Sequence, residues 1–222
     1  MKVKVDVPTD EEVEKMYNYL KSRVELFKTT IPDKEKYKLA IRDFALFLVL
    51  LTTGRRIGEI LKILVADVKF NEGVMYTTIE KTRKGTKGLT YAQKIVMGLI
   101  EKRPIHLAPE VAEVLKEYIE AWGLKPTDFL FQLSARRTQM LVEEWARAVG
   151  IYDKNIKPHS FRHYMVTKLR RMGWTYEDIA KVTGHRSIRS LEATYDHTDY
   201  WDVADRFSEA QRKMIDSLVL RK

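Results

Sequence analysis

Two short stretches of the chain combine arginine with histidine or glutamate at spacings that suit an anionic ligand. In HSFR, residues 159–162, a histidine and an arginine stand three apart near a predicted helix start, where backbone N–H groups also favour an anion. In TGRRIGE, residues 53–59, Arg56 and Glu59 have the same spacing after a glycine turn. Taken alone, the second stretch is best explained as a surface ion pair. The alternative is an arginine that the carboxylate orients toward a phosphate.

The histidines near residue 160 could also suggest a metal site. His163 lies four residues after His159, so both would share one helix face. No carboxylate or cysteine stands at a suitable spacing and the HExxH motif is absent, so no metal site is predicted. Arg170 and Arg171 further along the same helix are interpreted as solvated or as contacts to a phosphate backbone.

A third stretch, TGHRSIRSLEATYDH at residues 183–197, contains a candidate nucleophile. His185 follows a glycine turn, and Tyr195 lies ten residues later. A tyrosine in an amphipathic helix usually serves packing, with its hydroxyl hydrogen-bonded at the rim. A tyrosine can also attack a phosphate covalently, provided that the charge of the phosphate is already neutralised.

The composition favours a polyanionic partner. The chain has 222 residues and a formal net charge of +9, and its pI is near 9.5. Such an excess points first to nucleic acid and second to an anionic membrane surface. The longest apolar run, FALFLVLL at residues 44–51, is shorter than the roughly 20 residues of a membrane span, so it predicts a buried helix.

Two further properties narrow the protein class. The chain contains no cysteine, which excludes disulfides, a cysteine-ligated zinc and a thiol nucleophile. The charged start KVKVDVPTDEEVEK does not resemble a signal peptide, so a cytoplasmic protein is expected. High charge with few Asn and Gln is typical of thermophile proteins.

These residues must be positioned by a mostly helical fold. Thr9 and Glu12 have capping-box spacing at the first helix, and a second helix is predicted from about residue 36 to 53, ending at Gly54. Apolar periodicity and glycine stops predict the other elements. They are a short helix over RRIGEILKIL, strands at 73–81 and 103–107 joined by a long hairpin arm, and helices at 109–122, 135–149, 159–172, 176–183 and 202–219. The fold class is therefore mostly α (α+β), with a small antiparallel sheet.

Taken together, the three stretches resemble the tyrosine recombinase (phage integrase) family. TGRRIGEIL matches the first arginine box of the family, which makes Arg56 the first catalytic arginine and Glu59 its acidic support. HSFRH matches the His-x-x-Arg box with the histidine that usually follows, here His163. Gly-His at 184–185 and Tyr-Asp-His at 195–197 match the remaining boxes. The four boxes occur in the family's order over about 140 residues.

The resemblance leaves two assignments open. The catalytic lysine of the family lies at a β-hairpin, which corresponds here to EKTRKGTKG. Lys81 matches the Lys-Thr form and is preferred because it lies at the predicted strand end, while Lys84 matches the Lys-Gly form of Xer-type enzymes. These lysines, Lys87 included, could instead make nonspecific phosphate contacts. The usual His-to-Tyr separation is one residue shorter than the ten found here, so a remodelled connection before Tyr195 is expected. Tyr200 is a lesser candidate for the nucleophile.

The resemblance implies a site-specific DNA recombinase or integrase. Tyr195 would attack a phosphodiester and form a 3′-phosphotyrosyl link, while Arg56 and Arg162 hold the non-bridging oxygens. His159 would exchange a proton with the nucleophile, His185 would hydrogen-bond the phosphate, and the hairpin lysine would protonate the leaving 5′ oxygen. The link keeps the phosphoester energy, so neither a metal nor another cofactor is expected.

The resemblance also implies partners and boundaries. Double-stranded DNA is the expected partner, bound by a homotetramer. Residues 1–222 are expected to form one catalytic domain without the usual N-terminal core-binding domain, and residues 202–220 a tail helix that docks on a neighbouring protomer or on its own core. Three alternatives stay open: a DNA-binding regulator on a degenerate recombinase scaffold, a type IB topoisomerase and, more remotely, a metal-dependent nuclease using the two histidines near residue 160.

Overall fold

The computed structural model of the protein describes residues 6–80, 88–185, 188–189 and 191. The chain divides into two compact units, residues 1–165 and residues 166–222. The first unit contains the main hydrophobic core and a three-stranded antiparallel sheet. In the described part of the second unit, the structure is helical. A mostly α fold with a small sheet is therefore confirmed.

Helix α1, Asp10–Glu25, begins at the predicted capping box. The backbone N–H of Glu12 donates to Thr9 Oγ1 at 3.2 Å, and the backbone N–H of Thr9 donates to the Glu12 carboxylate at 2.7 Å. Two helix-end donors are thereby satisfied reciprocally. One helix face enters the core, through Val13, Met16, Leu20 and Val24. A π-helical turn, Leu26–Thr30, follows directly.

Helix α2, Lys34–Thr53, is the central helix of the first unit. Every residue from 44 to 50 is buried, because the apolar run covers all sides of the helix. Helices α1 and α5 (Pro109–Trp122) both pack against it. The helix ends at Gly54, whose φ of +57° is the left-handed conformation that glycine adopts without steric cost. The predicted helix end is confirmed.

The sheet consists of β1 (Val68–Lys69), β2 (Val74–Glu80) and β3 (Ile100–His106), in that order. Strands β2 and β3 pair antiparallel, with buried Met75 opposite buried Ile105. The two predicted strands are confirmed, although β3 begins three residues earlier than expected. Strand β1 was not predicted, because two residues are too few to establish an alternating pattern.

Two predictions for this region are wrong in detail. The long hairpin arm between the strands contains a helix, α4 (Tyr91–Val96), which begins where the Thr90 and Gln93 side chains and backbones cap each other. The helix predicted over RRIGEILKIL is only one turn, α3 (Ile57–Ile60). It stops there because the chain turns to run beside the 126–130 segment, where Leu130 N–H donates to Ile63 O at 2.7 Å.

The remaining helices follow the predictions to within one residue at each end. Besides α5, they are α6 (Ala135–Ala148), α7 (Pro158–Arg171) and α8 (Tyr176–Thr183). Helix α5 is attached to α2 by the indole N–H of Trp122, which donates to Lys38 O at 2.8 Å. The tail helix predicted at 202–219 lies outside the described residues. No helix in the described ranges has the length and apolar character needed to cross a bilayer.

Candidate active site

The turn after α2 presents Arg56 at the surface. Arg56 is the N-cap residue of α3, with extended backbone angles that lead its side chain away from the helix. Its Nη1 donates to Glu59 Oε1 at 3.2 Å, and the exposed fractions of the two side chains are 44% and 14%. Glu59 therefore orients a guanidinium that keeps access to solvent and to a ligand.

Arg162 on α7 is attached to the same turn. Its side chain is buried, and Nη1 donates to the carbonyl oxygen of Gly54 at 2.7 Å. Gly54 precedes Arg56 by two residues, so this hydrogen bond brings the start of α7 and the turn of α2 together. The guanidinium of Arg162 thus contacts the backbone two residues before Arg56, the other predicted arginine.

Packing against α1 and α2 fixes the position of α7. Phe161 is buried and meets Phe47 of α2 edge to face, with ring centroids 5.4 Å apart, a geometry worth about 0.5–1.5 kcal/mol beyond its buried area. On another side, Tyr164 Oη donates to Asp10 Oδ1 at 2.8 Å at the start of α1. The residues that flank Arg162 therefore anchor it, and the apolar position 161 in HSFRH is a packing residue.

His159 and His163 lie on one face of α7, with ring centroids 4.5 Å apart and ring planes at 89°. Partial burial, together with the charges of Arg162 and Arg56, lowers the pKa of His159 below its usual value. Burial, His159 and Arg162 lower the pKa of His163 to about 4. At neutral pH both rings are neutral, and a neutral imidazole is able to accept a proton.

His185 belongs to the second unit and has a defined ring environment there. It follows Gly184, the left-handed end of α8, and its backbone N–H donates to Ala180 O at 3.0 Å. The Thr183 hydroxyl donates to Ile179 O at 2.5 Å, and its oxygen lies 2.6 Å from His185 Nδ1.

The structure brings together five of the predicted site residues. The five lie in the first unit and are Arg56, Glu59, His159, Arg162 and His163. His185 lies in the second unit. The remaining candidates lie outside the described residues: Lys81, Lys84, Lys87, Tyr195, His197 and Tyr200. Within the described ranges, no group of three or more His, Asp or Glu side chains is arranged to hold a metal ion.

Sequence reasoning missed Arg55, which among the described residues is the most deeply buried charged residue after Arg162. Its side chain is only 2% exposed, although Arg56 next to it is exposed. The double arginine in TGRRIGE was the available signal for a buried arginine, because the side chains of adjacent residues at the start of a helix point in different directions. The pattern alone does not tell which of the two arginines points inward.

Comparison with known proteins identifies the family. The sequence profile described as the phage integrase family matches residues 8–201. The chain belongs to this family. Among phage integrase relatives, a tyrosine recombinase of Pseudothermotoga lettingae is 26% identical over 160 residues, which are 70% of this chain and 49% of the relative. Tyrosine recombinase XerA of Saccharolobus solfataricus is 26% identical over 177 residues, 80% of this chain and 51% of that protein.

Solved structures of integrase-family proteins have the same fold. A XerA recombinase crystal structure superposes with a TM-score of 0.64 at 20% identity, covering 92% of this chain and 65% of that one. The XerH recombinase bound to palindromic difH substrate also gives a TM-score of 0.64, at 22% identity, covering 92% of this chain and 52% of that one. The predicted family and fold are confirmed, and the chain spans about half the length of its two sequence relatives.

Proposed function

We propose that the chain is the catalytic domain of a site-specific tyrosine recombinase, which cleaves and rejoins double-stranded DNA. The observation that carries the proposal is the 2.7 Å hydrogen bond from Arg162 Nη1 to Gly54 O, two residues before Arg56. It holds two arginines close to one histidine, as a site for a phosphodiester requires. The relatives named tyrosine recombinase and the XerH–difH complex support the assignment.

In the proposed reaction, the phenolic oxygen of Tyr195 attacks the phosphorus and the bond from phosphorus to the 5′ oxygen breaks. The product is a 3′-phosphotyrosyl link and a free 5′-hydroxyl. Arg56 and Arg162 bind the non-bridging oxygens and stabilise the charge of the transition state. The tyrosine proton passes to neutral His159, whose lowered pKa keeps it available as a base.

Two further groups complete the proposed mechanism. Lys81, with Lys84 as the alternative, donates a proton to the leaving 5′ oxygen. His185 donates a hydrogen bond to the phosphate, and since Nδ1 is in contact with the Thr183 hydroxyl, this role falls to Nε2. Attack by the 5′-hydroxyl on the tyrosyl link reverses the reaction, so no cofactor enters it.

We also propose the partners and the cellular setting. The domain binds DNA through its net charge of +9 and assembles as a homotetramer on paired sites. Residues 1–222 form the catalytic domain, and residues 202–220 form a tail helix. The proposed location is the cytoplasm, in contact with DNA.

The test is a cleavage assay on supercoiled plasmid in EDTA, stopped with SDS. The wild-type protein is expected to relax the plasmid and to leave protein covalently linked to DNA, whereas Tyr195→Phe gives neither product but still binds the plasmid. Tyr200→Phe is the matched control and should behave like the wild type.

Each contrary outcome has a defined meaning. Adducts that persist in Tyr195→Phe and disappear in Tyr200→Phe would transfer the nucleophile to Tyr200. Activity that EDTA abolishes would contradict the metal-free mechanism. If this chain and a longer form of the protein both bound DNA tightly but formed adducts with no DNA, the result would favour a regulator on a recombinase scaffold.

A further inference from the structure

Arg55 carries a buried positive charge that the mechanism above does not use. Its side chain is 2% exposed, and among the described residues its Nε and Nη1 have no hydrogen-bond partner. Its backbone N–H donates to Thr53 Oγ1 at 3.3 Å. A buried guanidinium whose N–H groups lack acceptors lowers the stability of the fold, so its presence beside Arg56 calls for a physical reason.

Glu59 provides the complementary feature. Its Oε1 accepts from Arg56, but its Oε2 is buried and has no hydrogen-bond partner in the part of the chain that the structure describes. Arg55 directly precedes Arg56, the N-cap residue of the one-turn helix α3, and Glu59 lies within that helix, where its charge acts on the Arg55 guanidinium. Open donors and an open acceptor are thus buried beside the same turn.

The proposed binding of a phosphate by Arg56 accounts for the arrangement. When a DNA phosphate approaches, it competes with Glu59 for the N–H groups of Arg56, which is the exposed member of that pair. A Glu59 that lost Arg56 would become a buried carboxylate without a counter-ion, which strongly opposes the change. A second cation within reach of Oε2 removes this obstacle.

We propose that Arg55 is a positioning residue that becomes the hydrogen-bond partner of Glu59 when Arg56 binds the DNA phosphate. Nε or Nη1 of Arg55 donates to Glu59 Oε2, so that the carboxylate stays paired and continues to orient Arg56. In this role Arg55 pairs with Glu59 and not with the DNA. The inference rests on the proposed function, since it assigns Arg56 to phosphate binding.

The kinetic test compares Arg55→Met, Arg55→Lys, Glu59→Gln and the double variant Arg55→Met/Glu59→Gln in the plasmid cleavage assay. Arg55→Met is expected to slow adduct formation on the order of 10- to 100-fold, the effect of a small misplacement of a catalytic group. Plasmid affinity should change by less than about threefold, as expected for a residue that contacts no phosphate. Arg55→Lys should restore part of the rate.

Two controls separate positioning from a structural role. Arg55→Met should keep or raise Tm, because it removes a buried charge that lacks hydrogen bonds. In the Glu59→Gln background, Arg55→Met should have little further effect on the rate, since residues that act as one unit are not additive. A wild-type rate in Arg55→Met, a fall in rate that follows a fall in Tm, or independent effects in the double variant would each overturn the proposal.

A second measurement does not depend on cleavage. In Tyr195→Phe protein labelled with ¹⁵N-arginine, the Arg55 Nε–H signal is identified by its loss in Arg55→Met. Adding short duplex DNA should slow the exchange of this hydrogen with water, because it becomes hydrogen-bonded. An unchanged exchange rate on saturation with DNA contradicts the role of Arg55. Absence of adducts from the wild type, with the NMR change present, contradicts the proposed function instead.

Discussion

At the scale of single residues, Arg162 combines a structural contact with a proposed catalytic one. Its Nη1 donates to the carbonyl oxygen of Gly54, and its guanidinium is proposed to bind a phosphate. Arg162→Ala is expected to reduce cleavage on the order of 10²- to 10³-fold, as the loss of a charge-stabilising donor does. Arg162→Lys keeps the charge but not the planar fork, so it should recover little of the rate.

The measurement is single-turnover adduct formation beside plasmid binding. Arg137→Ala is a matched control, because Arg137 pairs with Glu144 at 2.7 Å on the surface of α6. Cleavage by this control should stay close to that of the wild type. If Arg162→Ala lost affinity and rate by the same factor, Arg162 would only bind DNA.

His163 makes the stability of the fold depend on pH. Its pKa is lowered to about 4 in the folded protein, whereas an unfolded histidine titrates near 6.5. Below about pH 6.5 this histidine binds a proton in the unfolded chain but stays neutral in the folded protein. The free energy of unfolding therefore falls as pH decreases toward 4. Above pH 6.5 this contribution is constant.

The check compares Tm at about pH 7 and pH 4.5 for the wild type and His163→Gln. Glutamine is polar but does not titrate, so the decrease in Tm between the two pH values should be smaller for His163→Gln than for the wild type. Carboxylates with lowered pKa values, such as Glu12 and Glu117, titrate in both proteins and cancel in the comparison. Equal decreases would show that His163 is already solvated as a cation.

The sequence predicted the identities of the arginine pair but not how they are held. Spacing to Glu59 and to His159 identified Arg56 and Arg162, since side-chain pairs three apart on a helix are local. The bond from Arg162 to Gly54 joins residues 108 apart, so no local pattern contains it. The burial of Arg55 was equally inaccessible, because it depends on which direction the chain takes after Gly54.

At the scale of elements, the left-handed turn at Gly54 both ends α2 and offers its carbonyl to α7. Gly54→Ala is expected to cost about 1–2 kcal/mol of unfolding free energy, the cost of a β-carbon in this conformation. It should reduce cleavage further than this loss of stability explains, because the φ of +57° directs both Arg56 and the carbonyl that Arg162 binds.

Gly58 provides the control for this prediction. A β-carbon added at Gly58 meets no atom within 4 Å. The residue lies inside α3, where alanine is favoured over glycine by up to about 1 kcal/mol. Gly58→Ala should therefore match or exceed the wild-type Tm in a denaturation experiment. A Gly54→Ala protein as stable and active as Gly58→Ala would contradict the role of the turn.

Helices were predicted far better than the connections near the sheet. Helices α5 to α8 have strong apolar periodicity and explicit start and stop residues, so their ends were found to within one residue. Helix α4 has six residues, and its cap at Thr90 and Gln93 lies in a polar stretch without a periodic apolar face. The end of α3 depends on pairing with the 126–130 segment, a tertiary contact that overrides local helix preference.

At the scale of the whole molecule, the charge of +9 predicts a steep effect of salt on DNA binding. If about half of this charge meets phosphates, the slope of log affinity against log salt concentration is about −4. Fluorescence anisotropy with a short duplex at several salt concentrations measures it. Tyr195→Phe should give the same slope, since the nucleophile is not a counter-ion. A slope near zero would indicate binding that does not rely on the phosphate backbone.

The bond from Arg162 to Gly54 also has a consequence for synthesis of the protein. Its partners are 108 residues apart, so at roughly 5 to 20 residues per second the ribosome needs about 5 to 20 s to pass from one to the other. During this interval the nascent chain contains Arg56 but not α7. The two arginines therefore meet only late in translation, and an incomplete chain that stops before α7 lacks the paired site.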